Sequence, residues 1–252
     1  MITTVILTGI LLIILVIASF VSLNILNAQM VSTEFEQAQL NMRLLDSTIQ
    51  DVSLRPGAGG YVQFNEREGG IGIQPTTDSV SVTIQDKMIT FPDLTQLVYS
   101  GGTLASAAVS PNMAYTSLRG DLNYAYVNLT QGLDFLRLEQ DNGARIKLDY
   151  DRVRISSTGR IDSTTNLVQI SFIHLIKGST SGTNIVNVQT QNIKTVTTTW
   201  QFSTGAISIT ATHNAKQSPT PISQTYLIDE TPAGVTQTVV LLSEIQILVS
   251  IT

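Results

Sequence analysis

The first 33 residues contain no charged side chain. Within them, residues 5–18 are almost wholly apolar. A helix that is apolar all round must be buried all round, in lipid or among other helices. From Val31 the pattern changes. Val31, Phe35, Ala38, Met42, Leu45, Ile49 and Val52 follow one another at alternating steps of four and three, which is the a/d stripe of one helix face. Glu34, Glu36, Gln39, Arg43, Asp46 and Gln50 fill the other positions, predicting a back that stays wet. No Gly or Pro falls between Ile10 and Leu54, and Arg55-Pro56-Gly57 ends the pattern. The reading is one helix over 1–54, hydrophobic over 1–30 and amphipathic over 31–54. At 1.5 Å per residue it is about 80 Å long. A bilayer span needs only roughly 20 residues, so the remainder has another job.

After Gly57 the periodicity shortens to two. Strands are expected at 61–64 and 71–73. Two more, at 80–84 and 88–91, are joined by a turn at Asp86-Lys87. Between Leu97 and Ser117 the signal is weak. Residues 133–138 and 144–148 flank Asp141-Asn142-Gly143, a hairpin turn because Asn-Gly accepts positive φ. Further strands are expected at 124–127, 153–155 and 167–173, with a loop at 177–183. A long Thr-rich strand at 184–202 should form a hairpin with 206–210 across Ser203-Thr204-Gly205. A proline-containing loop follows at 214–234, and a last strand lies within 235–251. The expected class is therefore α+β, a long N-terminal helix followed by an antiparallel β-sandwich-like domain over 55–252.

Charged residues are 13% of the chain, about half the usual soluble share. Serine and threonine supply about a fifth of it, above ordinary usage. Such a surface suits an extracellular protein that is glycosylated or packed against copies of itself. The net charge of −5 argues against a nucleic-acid partner. With no cysteine, disulfides cannot staple the fold. The search for catalytic groups finds no nucleophile elbow, phosphate loop or dinucleotide fingerprint. The glycine-rich stretches 57–60 and 69–72 read as turns. His174 and His213 lack metal-ligand spacing, and His174 reads as a strand histidine with a local partner. Glu139, Asp141, Asn142, Asp149 and Asp151 offer oxygen ligands without EF-hand spacing, and they read as a hairpin turn and a solvated face. No enzyme, cofactor or metal is expected. Asn128-Leu129-Thr130 is an N-glycosylation sequon, making Asn128 a candidate for modification.

The apolar N-terminus lacks the basic start and short core of a secretory signal. It also lacks the cytoplasmic Lys or Arg flank of an ordinary anchor, since the first basic residue is Arg43. The expectation is a basic leader that preceded Met1 and was removed; the alternative is that Met1 is the start codon of an anchor with atypical flanks. A charge-free apolar helix that continues as an amphipathic helix into a Thr/Ser-rich β domain resembles the type IV pilin superfamily. The likeness is nearest to its archaeal members, adhesion pilins and archaellins. Bacterial pilins carry glutamate at the fifth mature position; Val5 stands here, as in the archaeal pattern.

The resemblance covers about the first 55 residues. It implies a structural subunit that polymerises through its N-terminal helices into an extracellular adhesion filament. Val5, Leu12, Ile13, Val16 and Phe20 would lie in the filament core, and Phe35, Met42, Leu45 and Ile49 would pack on the subunit's own domain. The implied partners are copies of the chain, the membrane before assembly, a prepilin peptidase and an assembly machinery. The rival readings are an archaellin used for motility, and an anchored extracellular binding module or enzyme that never polymerises.

Overall fold

The computed structural model describes residues 2–109, 113–121, 123–141, 143–215, 220–228 and 234–252, with side chains from residue 6 onward. The side chain of Val5, the pair Pro111-Asn112, Asn142 and residues 216–219 and 229–233 lie outside the described residues; the stretch expected as a loop at 214–234 carries a strand at Ile222–Ile228.

Helix α1 runs unbroken over Ile2–Ser53, as a stretch without internal Pro, rich in Leu, Ile and Val and free of Gly after Gly9, allows. Fifteen strands follow among the described residues. In chain order they are β1 (Gly59–Glu66), β2 (Gly70–Pro75), β3 (Ser79–Ile84), β4 (Lys87–Phe91) and β5 (Thr95–Ser100). Next come β6 (Tyr115–Arg119), β7 (Tyr126–Val127), β8 (Phe135–Gln140), β9 (Ala144–Asp149) and β10 (Val153–Arg160). The last are β11 (Thr165–Thr180), β12 (Asn184–Phe202), β13 (Ile207–Asn214), β14 (Ile222–Ile228) and β15 (Gln237–Ile251). The class is α+β, with a mostly antiparallel β domain.

That domain has three sheets. Six strands run β1-β12-β15-β11-β10-β7, four run β14-β13-β3-β4, and five run β2-β5-β9-β8-β6. Two pairings are parallel, β11 with β15 and β7 with β10. The long strands of the six-stranded sheet serve two cores, and residue parity shows how. Val168, Ile170 and Phe172 of β11, with Val240 and Leu242 of β15, face a core closed by the four-stranded sheet. Ile173 and Leu175, with Ile247, Val249 and Ile251, face a second core shared with α1 and the five-stranded sheet. Within β11 and β15 even positions serve one core and odd positions the other, so the cores lie on opposite faces of one sheet. In the first core the rings of Phe91 and Phe172 stack at 4.2 Å between centroids.

Several expectations from sequence are corrected. β12 forms no hairpin with β13. It pairs with β1 and β15, whereas β13 pairs with β3 and β14. Ile207, Ile209 and Ala211 of β13 are buried in the core beneath the four-stranded sheet, which removes that strand from the edge of β12. The weak stretch after Leu97 contains β5, whose Leu97, Val98 and Tyr99 are buried. The loop expected from Lys177 is shorter, because β11 extends to Thr180. The β3–β4 turn falls at Gln85-Asp86, with Gln85 at φ 54°, one residue earlier than expected. The expected helix and mostly antiparallel β domain are present, with the strands divided among three sheets.

Candidate functional site

α1 has two environments along its length. Residues 6–29 are exposed without exception, a rod of about 36 Å. Leu12, Ile13, Val16 and Phe20 are each exposed by 59–67%. The helix has the length and composition to cross a membrane. From Val31 the picture reverses. Val31, Phe35, Ala38, Met42, Leu45, Ile49 and Val52 are all buried. They share one core with Val62 and Phe64 of β1, Val186 and Val188 of β12, Tyr99 of β5 and Ile146 of β9. Phe35 and Phe64 both lie against the Tyr99 ring. On the outward side, Leu40 and Leu44 stay exposed, one helical turn apart.

β1 lies close to the helix because residue 60 is glycine: a Cβ there would sit 2.5 Å from Thr48 Cγ2. The end of α1 is held by Asn192, fully buried at a bulge in β12. Its side-chain amide donates to the carbonyls of Val52 and Ser53 at 3.4 Å, two of the acceptors that a helix C-terminus leaves open. Its main chain accepts from Gly57 and donates to Ala58, fixing the turn into the domain.

The back of the amphipathic half is not uniformly wet, contrary to the expectation from sequence. Asp46 is fully buried. It accepts from the Tyr150 hydroxyl at 2.6 Å and from Gln50 at 2.8 Å, and pairs with Arg119 at 2.6 Å. Arg119 also reaches buried Asp134 at 3.3 Å, and Gln50 donates to Asp134 at 3.1 Å. One guanidinium thus serves two carboxylates. Burial first, then the charge of Asp46, pushes Asp134 up to about 6, against the pull of Arg119 and Arg152. Burial and the Asp46 charge likewise push the Tyr150 phenol well above its ordinary range, so it stays a donor.

Glu34 forms a second tie. Its carboxylate accepts from the main-chain amides of Arg67, Glu68 and Gly69 at 3.0–3.3 Å and from the Tyr99 hydroxyl at 3.0 Å. The glycine-rich turn after β1 therefore does cradle an anion, and the anion is the protein's own. Gly69 is required by packing, since a Cβ would meet the Tyr99 hydroxyl at 2.4 Å.

The remaining candidates are scattered. Asn128 is exposed at a turn, its side-chain oxygen accepting from the amide and hydroxyl of Thr130 at 3.0 and 2.7 Å. His174 meets Glu244 of the adjoining β15 at 2.9 Å. The acidic run is largely neutralised by bases: Glu139 with Arg137 and Lys147, Asp149 with Arg137, Asp141 with Arg145. Asp151 departs from that run and turns toward His213 and Asp78. Burial holds the His213 imidazole below its usual range. Nothing in the sequence spacing links these three residues, because the sheets bring them together from three separate segments. No family model, curated protein or solved structure matches this chain.

Proposed function

We propose that this chain is the repeating structural subunit of an extracellular filament of the archaeal type IV pilus kind, used for surface adhesion. The observation that carries the reading is the division of α1. One half is spent on the subunit's own core, and the other stands free with apolar side chains on every side. In water each exposed Leu or Ile forgoes roughly 1.5–3 kcal/mol of burial, so residues 6–29 need lipid or neighbouring helices. Before assembly the membrane supplies the first. In the filament a bundle of these helices supplies the second, with the β domains outside. Lipid is as apolar as leucine, so extraction must be driven by packing and by external work.

Leu40 and Leu44 favour polymerisation over a lone anchor. They lie beyond the apolar half, on the side away from the domain, where a single anchored subunit leaves them in water. A bundle covers them. The exposed, Thr-rich stretch of β12 suits a surface for contact with other cells or solids.

Electron microscopy of the protein purified from the surface of its cells tests the reading. Filaments whose central density is a helix bundle are expected. Protein found only as single subunits in membranes, under conditions where the cells adhere, overturns it in favour of the anchored module. Filaments that rotate with a motor favour the archaellin.

A further inference from the structure

Three segments far apart in sequence meet at one buried point. Asp78 lies just before β3, Asp151 in the connection from β9 to β10, and His213 near the end of β13. One donor atom from each lies within 4.8 Å of the other two. Asp151 and His213 are more than nine-tenths buried, and Asp78 is half-buried. His213 Nε2 is enclosed, has no hydrogen-bond partner among the described residues, and lies 3.9 Å from Asp151 Oδ2.

We propose that Asp78, Asp151 and His213 bind a divalent transition-metal ion of the Zn2+ class. A buried ring nitrogen without a partner is left with an uncompensated loss of hydration, and 3.9 Å is too long for a hydrogen bond to relieve it. The spacing suits two donors on one ion better. Ligands at about 2.0–2.2 Å from a tetrahedral ion sit about 3.3–3.5 Å apart, so the side chains need close by only a fraction of an ångström on that edge. One imidazole with two carboxylates favours zinc over calcium, which prefers six to eight oxygens. Three protein ligands leave a fourth position for water, and half-buried Asp78 marks the route in. Three carboxylates, Asp78, Asp151 and Asp149, face the site against two guanidiniums, buried Arg152 and Arg137, and Arg137 is already shared between Asp149 and Glu139. Such an ion would tie β3 and β13 of the four-stranded sheet to the β9–β10 connection, which links the other two sheets.

The test uses the full chain in detergent, stripped with a chelator and titrated with Zn2+ alone. One ion per chain is expected, with a rise in Tm, while Ca2+ at the same concentration leaves Tm unchanged. His213→Gln and Asp78→Asn should each weaken Zn2+ binding by more than about a hundredfold, beyond the roughly 10–100-fold that loss of an outer partner costs. His174→Gln, at the other histidine of the chain, should leave it unchanged. Co2+ substitution adds a readout independent of the variants: a visible spectrum from a site with one nitrogen ligand. Absence of Zn2+ binding by the unaltered chain overturns the proposal. So does binding that survives both His213→Gln and Asp78→Asn, or binding lost with His174→Gln. If His213→Gln does not fold, Asp78→Asn and the Co2+ spectrum decide. None of these outcomes depends on filament formation.

Discussion

Leu12 and Leu45 belong to the same helix and differ in almost everything but chemistry. Leu12 is 62% exposed, and Leu45 is fully enclosed. The apolar half has more hydrophobic residues than the amphipathic half, yet it is the amphipathic half that the domain holds. What decides is arrangement. A stripe one residue wide every three or four positions fits one sheet-lined groove, whereas a cylinder apolar on all sides fits only a surround of equals. The half that looks more hydrophobic is therefore the half the fold leaves alone.

The sharpest way to break this comparison is to place the same kind of insult in each half. On the proposed filament reading, Ile13→Asp should abolish filaments, since an unpaired carboxylate in a helix bundle would cost several kcal/mol in every subunit. The far-ultraviolet circular dichroism and melting of its β domain should not change. Normal filaments from that variant, seen in micrographs, would show that residue 13 is outside any packed core. Leu45→Ala should destabilise the folded subunit by about 2–5 kcal/mol, read as a lower Tm of the full chain in detergent. Leu12→Ala, under the same conditions, should leave that Tm unchanged; equal losses from the two would erase the distinction.

A smaller effect is pH-dependent. Asp134 has a folded-state pKa raised to about 6, above its unfolded value, so the folded protein holds a proton that the unfolded chain has released. Stability should therefore rise as pH falls from about 7 toward 4, by up to about 3 kcal/mol. Asp134→Asn should flatten that rise. A denaturation series showing the same slope in both proteins would place the titration elsewhere. The smallest effect is expected from Glu34→Gln, about 1–2 kcal/mol from weakened charge-assisted hydrogen bonds. Hydrogen exchange should quicken at the amides of residues 67–69, and unchanged exchange there would mean that the loop holds itself.

What sequence could reveal followed the range of the forces involved. The helix, its break at Pro56 and its change of character at Val31 are local patterns, and all can be read from neighbouring residues. The β8–β9 hairpin is legible for the same reason. The pairing of β13 was not, because a hairpin with β12 and a place beside β3 look alike until the burial of Ile207 and Ile209 is known. Asp46 occupies a polar position on the helix, and by that local pattern alone it reads as solvated. What encloses it lies 73 to 104 residues away, at Arg119, Asp134 and Tyr150. The roles of Asn192 and Glu34 are illegible in sequence for a similar reason, since a capping amide or an anion held by main-chain amides has no signature apart from its partner.

The position of β15 carries a consequence for the order of events. It lies between β12 and β11 in the six-stranded sheet, so neither can complete its pairing, and the sheet cannot close, until β15 has been synthesised. Helix α1 is complete some 200 residues earlier, which at about 5–20 residues per second is an interval on the order of 10–40 s. During that time its apolar half can enter lipid, while the stripe from Val31 to Val52 has no finished sheet to lie on. On the proposed filament reading, anchoring would therefore precede folding, and the domain would cross a membrane as an open chain and close only once it is on the far side.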